Sequence, residues 1–245
     1  SDTKPPNSDT ETPITEISPK KFTVSTSSSE GGSISPESVT VDENTTTTFT
    51  LTPITGYSID SVTGCNGSLD DNLYITEALS NTCDVTANFS LNQYEVKAIA
   101  NEGGGISTPS QMVSHGEAAS FTIIPNTGYS IATVTGCDGV LKNNTYSIET
   151  VTSACEVTAS FNLNSYQVTA EAKQGGGISS ASKIVNHGET TSFTIIPNIG
   201  FSVVAVTGCD GSLSGNIYTT DTITTACNIT ASFNLNSYEV TAAAE

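Results

Sequence analysis

Residues 155–161 read Cys-Glu-Val-Thr-Ala-Ser-Phe, and this alternation decides the fold class. Cys155, Val157, Ala159 and Phe161 stand at two-residue spacing, so in an extended chain their side chains leave one face. Glu156, Thr158 and Ser160 suit the opposite, solvated face. The pattern recurs at 83–89 (Cys-Asp-Val-Thr-Ala-Asn-Phe) and at 227–233 (Cys-Asn-Ile-Thr-Ala-Ser-Phe). Each of these strands is expected to line a core.

Outward from that strand, the whole surrounding unit repeats with a step of 72 residues and no insertion. Cys65, Cys137 and Cys209 keep the step, as do Cys83, Cys155 and Cys227. The opening aromatics Phe22, Tyr94, Tyr166 and Tyr238 keep it too. A long fixed period marks a repeat architecture. The copies are read as residues 22–93, 94–165 and 166–237, with 238–245 as the start of a fourth. Domains this small bury only about 60–65% of their unfolded surface, so a staple is expected. Each copy holds its own two cysteines, which predicts Cys65–Cys83, Cys137–Cys155 and Cys209–Cys227 as structural disulfides. Each bridge would contribute about 3 kcal/mol in the chain-entropy model. For that pairing, residues 77–82 must carry the chain back toward Cys65. Paired cysteines in small units point to an exported protein in an oxidising compartment, and the competing reading is reduced thiols in the cytosol.

The middle copy supplies the coarse strand order. Residues 94–100 alternate and form the first strand; Gly103-Gly104-Gly105 then breaks it, and 106–113 is a loosely extended return. His115-Gly116 turns into a strand at 119–124, where Phe121 and Ile123 share a face as Phe49 and Leu51 or Phe193 and Ile195 do. Pro125 ends that strand. The Asn126-Thr127-Gly128 turn leads to 129–135, then Asp138-Gly139 turns into a short strand around Tyr146. Nothing has a helical period. The expected class is all-β: three tandem small β-sheet repeat domains in an elongated array. The linkers Ser90-Leu91-Asn92-Gln93 and Asn162-Leu163-Asn164-Ser165 hold no Gly or Pro. Leu91, Leu163 and Leu235 recur there, which predicts that each joint packs on a neighbour as in nearest-neighbour arrays.

Ahead of the first copy, residues 1–21 carry Pro5, Pro6, Pro13 and Pro19 among Thr, Ser and acids. They read as a disordered, extended leader. That suits a stalk behind an anchor on a missing N-terminal segment, or an arbitrary boundary. No secretory leader is present, and no apolar run approaches the roughly 18 residues of a membrane span. The chain has 25 acids, seven lysines and no arginine, for a net charge of −18. Such a surface repels phosphate backbones and anionic lipid, so neither nucleic acid nor membrane insertion is expected. The first copy holds nine acids and no base, the second six and two, the third four and two. A charge that drifts this way reads as a solvated surface rather than a site kept in every copy.

The run Gly31-Gly32, Pro53, Gly56-Tyr57-Ser58-Ile59-Asp60-Ser61-Val62-Thr63-Gly64 and Val85-Thr86-Ala87-Asn88-Phe89 resembles the divergent InlB B-repeat family of bacterial surface and secreted proteins. It recurs from Gly128 to Gly136 with Val157–Phe161, and from Gly200 to Gly208 with Ile229–Phe233, where Phe201 and Val203 replace Tyr and Ile. The resemblance covers nearly everything from residue 22 onward. It rests on turn glycines and core apolars. Family members often carry tryptophan where this chain has Val62, Val134 and Val206, and mostly lack the cysteine pair, so this is a cysteine-bearing variant. The resemblance implies a non-catalytic module of an exported protein, extracellular or on a bacterial cell surface, and names no ligand.

Chemistry is expected to be absent. His115 and His187 are equivalent, with Glu43 in that place in the first copy, and each is read as an exposed residue of a His-Gly turn. Neither has a second His or Cys at ligand spacing. The triple glycines at 103–105 and 175–177 lack the Lys-Ser/Thr and helix of a phosphate loop. Asp70-Asp71 becomes Lys142-Asn143 and Ser214-Gly215, so no paired-acid site recurs. Only Asn66, Asp138 and Asp210 hold an Asx-Gly turn in all copies, which needs no calcium to explain it. No catalytic, cofactor-binding or metal residue is assigned, and no cofactor is expected. The expected function is a monomeric cell-surface spacer or adhesive stalk whose partner is a surface protein or a glycan. The alternative is an accessory array on a secreted hydrolase, holding it on polysaccharide. The lack of Trp and the core-like places of most Phe and Tyr weigh against sugar stacking.

Overall fold

The β-branched and aromatic residues that dominate the alternating runs favour pleated, half-buried backbone, and each run is a strand. The computed structural model of the chain describes residues 1–3 and 18–242. Most of the expected leader, residues 4–17, and the end of the expected fourth copy, residues 243–245, lie outside the described residues. Residues 238–242 form no strand. The fold divides into two compact units, Ser1–Gln93 with Ser114–Gly116 and Tyr94–Val113 with Glu117–Glu245. The second unit therefore holds the body of two copies.

The first copy has eight strands: β1 Lys21–Ser28, β2 Gly32–Ser35, β3 Ser38–Asp42, β4 Thr48–Pro53, β5 Tyr57–Thr63, β6 Ser68–Asp70, β7 Leu73–Ile75 and β8 Cys83–Leu91. They form two four-stranded sheets, in the orders β3-β1-β8-β5 and β2-β4-β7-β6. Within the first sheet, β1 and β8 run parallel from Val24 opposite Cys83 to Ser28 opposite Ala87. The other pairings are antiparallel. Both later copies repeat the two-sheet plan with the same strand orders.

The inward faces of the two sheets close on one core. In the first copy Val24, Val85, Ala87 and Phe89 come from one sheet, and Ile34, Phe49, Leu51 and Tyr74 from the other. The two-residue spacing of β8 puts Val85 and Ala87 fully inside. Phe121 with Ile123, and Phe193 with Ile195, are buried as their spacing predicts.

Two local expectations are corrected. The loose return at 106–113 is two strands, Gly104–Ile106 and Ser110–Ser114, which belong to different sheets. The first strand does end ahead of the triple glycine, at Ala100, but only Gly103 (φ +103°) belongs to the turn, since Gly104 and Gly105 open the next strand. A Cβ on Gly104 would lie 2.3 Å from Cζ of Phe161, so bare backbone is what lets that ring settle between the sheets. A hairpin strand also went unread: β6 joins β7 through a two-residue turn whose first residue, Asp71, has φ 52°. Asn143 (φ 55°) and Gly215 (φ 57°) stand at the same place. Asp, Asn and Gly are the residues that tolerate left-handed backbone, so the apparent acid pair Asp70-Asp71 is turn chemistry.

Packing makes opposite demands on two glycines of the second copy. Gly136 has φ +112°, and a Cβ there would lie 1.9 Å from the Glu156 carbonyl oxygen, whereas Gly105 has nothing within 4 Å. Gly136→Ala is expected to destabilise the copy by about 3 kcal/mol or more through overpacking and left-handed strain. Gly105→Ala is expected to be neutral or to stabilise by up to about 1 kcal/mol. Thermal melts of the two variants check both signs.

Candidate functional site

The most ordered chemistry in each copy is the corner between β5 and the hairpin that follows. Gly64-Cys65-Asn66-Gly67 reverses the chain, with Cys65 and Asn66 both at φ 49°. Left-handed backbone at both central residues is the pattern of a type I′ turn, closed by the Gly67 N–H donating to the Gly64 carbonyl at 3.2 Å. The same pair of angles recurs at Cys137 (55°) and Asp138 (52°), and at Cys209 (52°) and Asp210 (48°). Asn and Asp bear that conformation readily, whereas cysteine is disfavoured there by roughly 1–2 kcal/mol. The recurring Asx-Gly is thus explained by backbone geometry.

Three ties hold the corner. Cys65 bonds to Cys83, the first residue of β8, with the Cα atoms 5.6 Å apart. Cys137–Cys155 and Cys209–Cys227 do the same at 5.5 Å and 5.6 Å. Next, a buried tyrosine hydroxyl donates to the carbonyl of the first glycine: Tyr74 to Gly64 (2.6 Å), Tyr146 to Gly136 (2.7 Å) and Tyr218 to Gly208 (2.6 Å). Desolvation pushes the Tyr218 phenol above its ordinary pKa; the Gly211 backbone opposes this and the Asp210 charge adds to it. Tyr218 therefore stays a donor throughout the neutral range. Finally, the 77–82 segment returns to the corner, where the Glu77 N–H meets the Cys65 carbonyl at 3.3 Å. Because β7 sits in the other sheet, β5 and β8 are direct neighbours and the cysteines meet.

Residues missed from the sequence complete this region. Leu79, Val151 and Ile223 are buried in the returning segment, and Thr76 and Thr220 are buried beside it. An aliphatic residue at one place in all three copies was the available signal. The Thr76 hydroxyl accepts from the Thr47 N–H at 3.0 Å, and Thr220 does so from Thr191 at 3.0 Å.

The histidine reading is corrected. His187 is half-buried, and its Nδ1 is buried with no hydrogen-bond partner. A Cβ on Gly128 of the preceding copy would lie 2.1 Å from its Cδ2, so the imidazole lies directly on that glycine's backbone. His115 lies on Gly56 in the same way, at 2.3 Å, within the first unit. The placement follows from the linker asparagine. The Asn164 N–H donates to the Gly128 carbonyl and its own carbonyl accepts from the His187 N–H, both at 2.8 Å. The Tyr166 ring stands 6.0 Å from the imidazole between centroids. Leu91 and Leu163, expected to carry the joints, stay 39% and 41% exposed: they share the parity of Phe89 and Phe161 but lie past the core at the strand ends. Histidine on glycine supplies the close contact there.

Among the described residues no three His, Cys, Asp or Glu side chains group to hold a metal ion. The depression beside Cys137 is lined by Asp138, Ser147, Glu149 and Thr150, while that beside Cys209 brings Asp210 together with Ile223, Thr222, Thr224 and Thr225. The first is lined by two acids and the second by one, although Glu77 and Asp221 stand in the other copies at the place of Glu149. No described helix is long and apolar enough to cross a membrane.

Comparison with known proteins follows this geometry. The family model of the divergent InlB B-repeat domain matches residues 22–93, 94–165 and 166–237. Among curated proteins none matches the chain. Among solved structures, the Bacillus anthracis TIE protein is similar with a TM-score of 0.41 and 5% identity. The match covers 87% of this chain and 50% of that one, so the chain spans half the length of that protein.

The corner predicts how stability is distributed. Reduction of all three bridges is expected to lower the melting temperature by on the order of 15 °C, from about 3 kcal/mol per copy. Tyr146→Phe is expected to cost about 1 kcal/mol, and a divalent chelator to leave the melt unmoved. A chelator shift as large as the reductant shift would assign the Asx-Gly turns to metal instead.

Proposed function

The chain belongs to the divergent InlB B-repeat family, and from that we propose that it is a non-catalytic spacer of the bacterial cell surface, projecting an adhesive or otherwise functional partner domain outward. One observation carries the reading. What recurs in all three copies is architecture: the bridge, the tyrosine tie and the core face of β8. Most of the outward polar chemistry changes, from nine acids in the first copy to four in the third, with Glu77, Glu149 and Asp221 beside the Asx-Gly turn as an acid kept in each copy. A catalytic or metal site would demand the reverse, because its polar groups must keep position and identity.

Three disulfides and a surface repeat family suggest an extracellular location. The bridges suit an oxidising environment. The net charge of −18 disfavours nucleic acid and anionic membranes as partners, which leaves a surface protein or a glycan. Within the second unit, the four-residue linker is held by backbone hydrogen bonds on both sides of Asn164. Such a joint has little of the freedom of a Gly/Ser linker, and a stiff joint is what a spacer requires.

Small-angle scattering on the whole chain tests the spacer. The expected profile is that of an extended, semi-rigid monomer with a maximum dimension well beyond that of a compact chain of this length. A compact profile or a strongly flexible one would remove the spacer reading and favour a binding module.

A further inference from the structure

The third copy presents the same turn that the second uses to seat its successor, with nothing on it. Gly128 and Gly200 have the same backbone angle, φ +83°, yet only Gly128 is covered. At Gly200 the nearest atom to an added Cβ is Cδ1 of Leu235, 3.9 Å away. The bond beneath the joint is already made, since the Asn236 N–H donates to the Gly200 carbonyl at 2.7 Å. Among the described residues no backbone N–H reaches the Asn236 carbonyl, the position at which Asn164 takes the His187 N–H. Apolar surface gathers around it: Ile199 is fully exposed, and Leu235 is 70% exposed where its equivalent Leu163 is 41%.

We propose that the Gly200 turn is a docking surface for a further unit of this same kind, joined in sequence, and that it accepts units with histidine at the position of His187 while refusing those with glutamate there. The joint between the second and third copies argues for that occupant, because it is the same surface, one copy earlier, already filled. The selectivity follows from what the imidazole does. Its Nδ1 is buried without a partner, so the ring is held by contact with the Gly128 backbone rather than by a hydrogen bond from that nitrogen. A carboxylate in that place would lose water and gain no donor, and burying an unpaired charge is costly. Glu43, the equivalent residue of the first copy, is exposed, and the 21 residues directly ahead of its copy contain no glycine. Its N–H donates to Lys20, which occupies the linker position. By this logic a Glu-type copy can only begin an array, and histidine copies extend it in one direction.

The inference deepens the reading of the chain as a structural array, but melting experiments read the joint whether or not the array proves extended. Because φ is equal at the two glycines, backbone strain cancels between Gly128→Ala and Gly200→Ala. In the whole chain, Gly128→Ala is expected to lower the melting temperature by roughly 5 °C more than Gly200→Ala. Adding His187→Ala to Gly128→Ala should remove most of that difference, as a coupled pair requires. The chain is then extended after residue 237 with a copy of either 94–165 or 22–93. With the histidine copy appended, Gly200→Ala should become as costly as Gly128→Ala; with the glutamate copy it should stay cheap. Equal costs in the original chain, or a Gly200→Ala cost that ignores which copy follows, would overturn the proposal.

Discussion

One contact sets the geometry of every copy: the backbone at Gly64 passes so close to β8 that a methyl group there would overlap the Asp84 carbonyl oxygen. Gly136 and Gly208 make the same approach to Glu156 and Asn228. Once the chain comes this near, the next residue faces the start of β8, and cysteine at both places closes the gap. The tyrosine hydroxyl then fixes the glycine carbonyl from the opposite sheet. A single corner thus couples the two sheets, the hairpin and the last strand. In a domain too small to be stable on core area alone, that coupling replaces bulk. It also accommodates Val62, Val134 and Val206, which pack partly buried beside the bridge, where the family often has a larger ring.

Much of this was legible in the sequence because it is local. The two-residue spacing from Cys83 to Phe89 announces a strand and its inward face, and the period of 72 announces the copies. The return of 77–82 to Cys65 followed from requiring the cysteines to meet. What escaped was set by groups distant in sequence. Gly104 belongs to a strand because the Phe161 ring, far along the chain, needs the room its missing side chain leaves. His187 resembles an exposed turn residue until Gly128, in the copy before, is found beneath its ring. The clue was the distribution: histidine in the second and third copies, each directly after another copy, and glutamate in the first, directly after the proline-rich stretch. The linker leucines misled for a related reason. Their recurrence marks a strand end at the edge of the joint, where Leu91 and Leu163 stay 39% and 41% exposed, so periodic recurrence of a residue type within the chain does not say which neighbour it meets.

Function follows from which features the copies share. Core and corner are written three times and the joint twice, nearly unchanged, while charge declines from copy to copy. On the proposed spacer reading, repetition of structure with drift of surface marks a part whose length and stiffness matter more than any single patch. The account rests on each copy closing its own corner. Proteolysis without reduction, followed by mass spectrometry of the linked peptides, tests this most directly. It should yield Cys65–Cys83, Cys137–Cys155 and Cys209–Cys227 and no free thiol; a bridge joining two different copies would contradict the account.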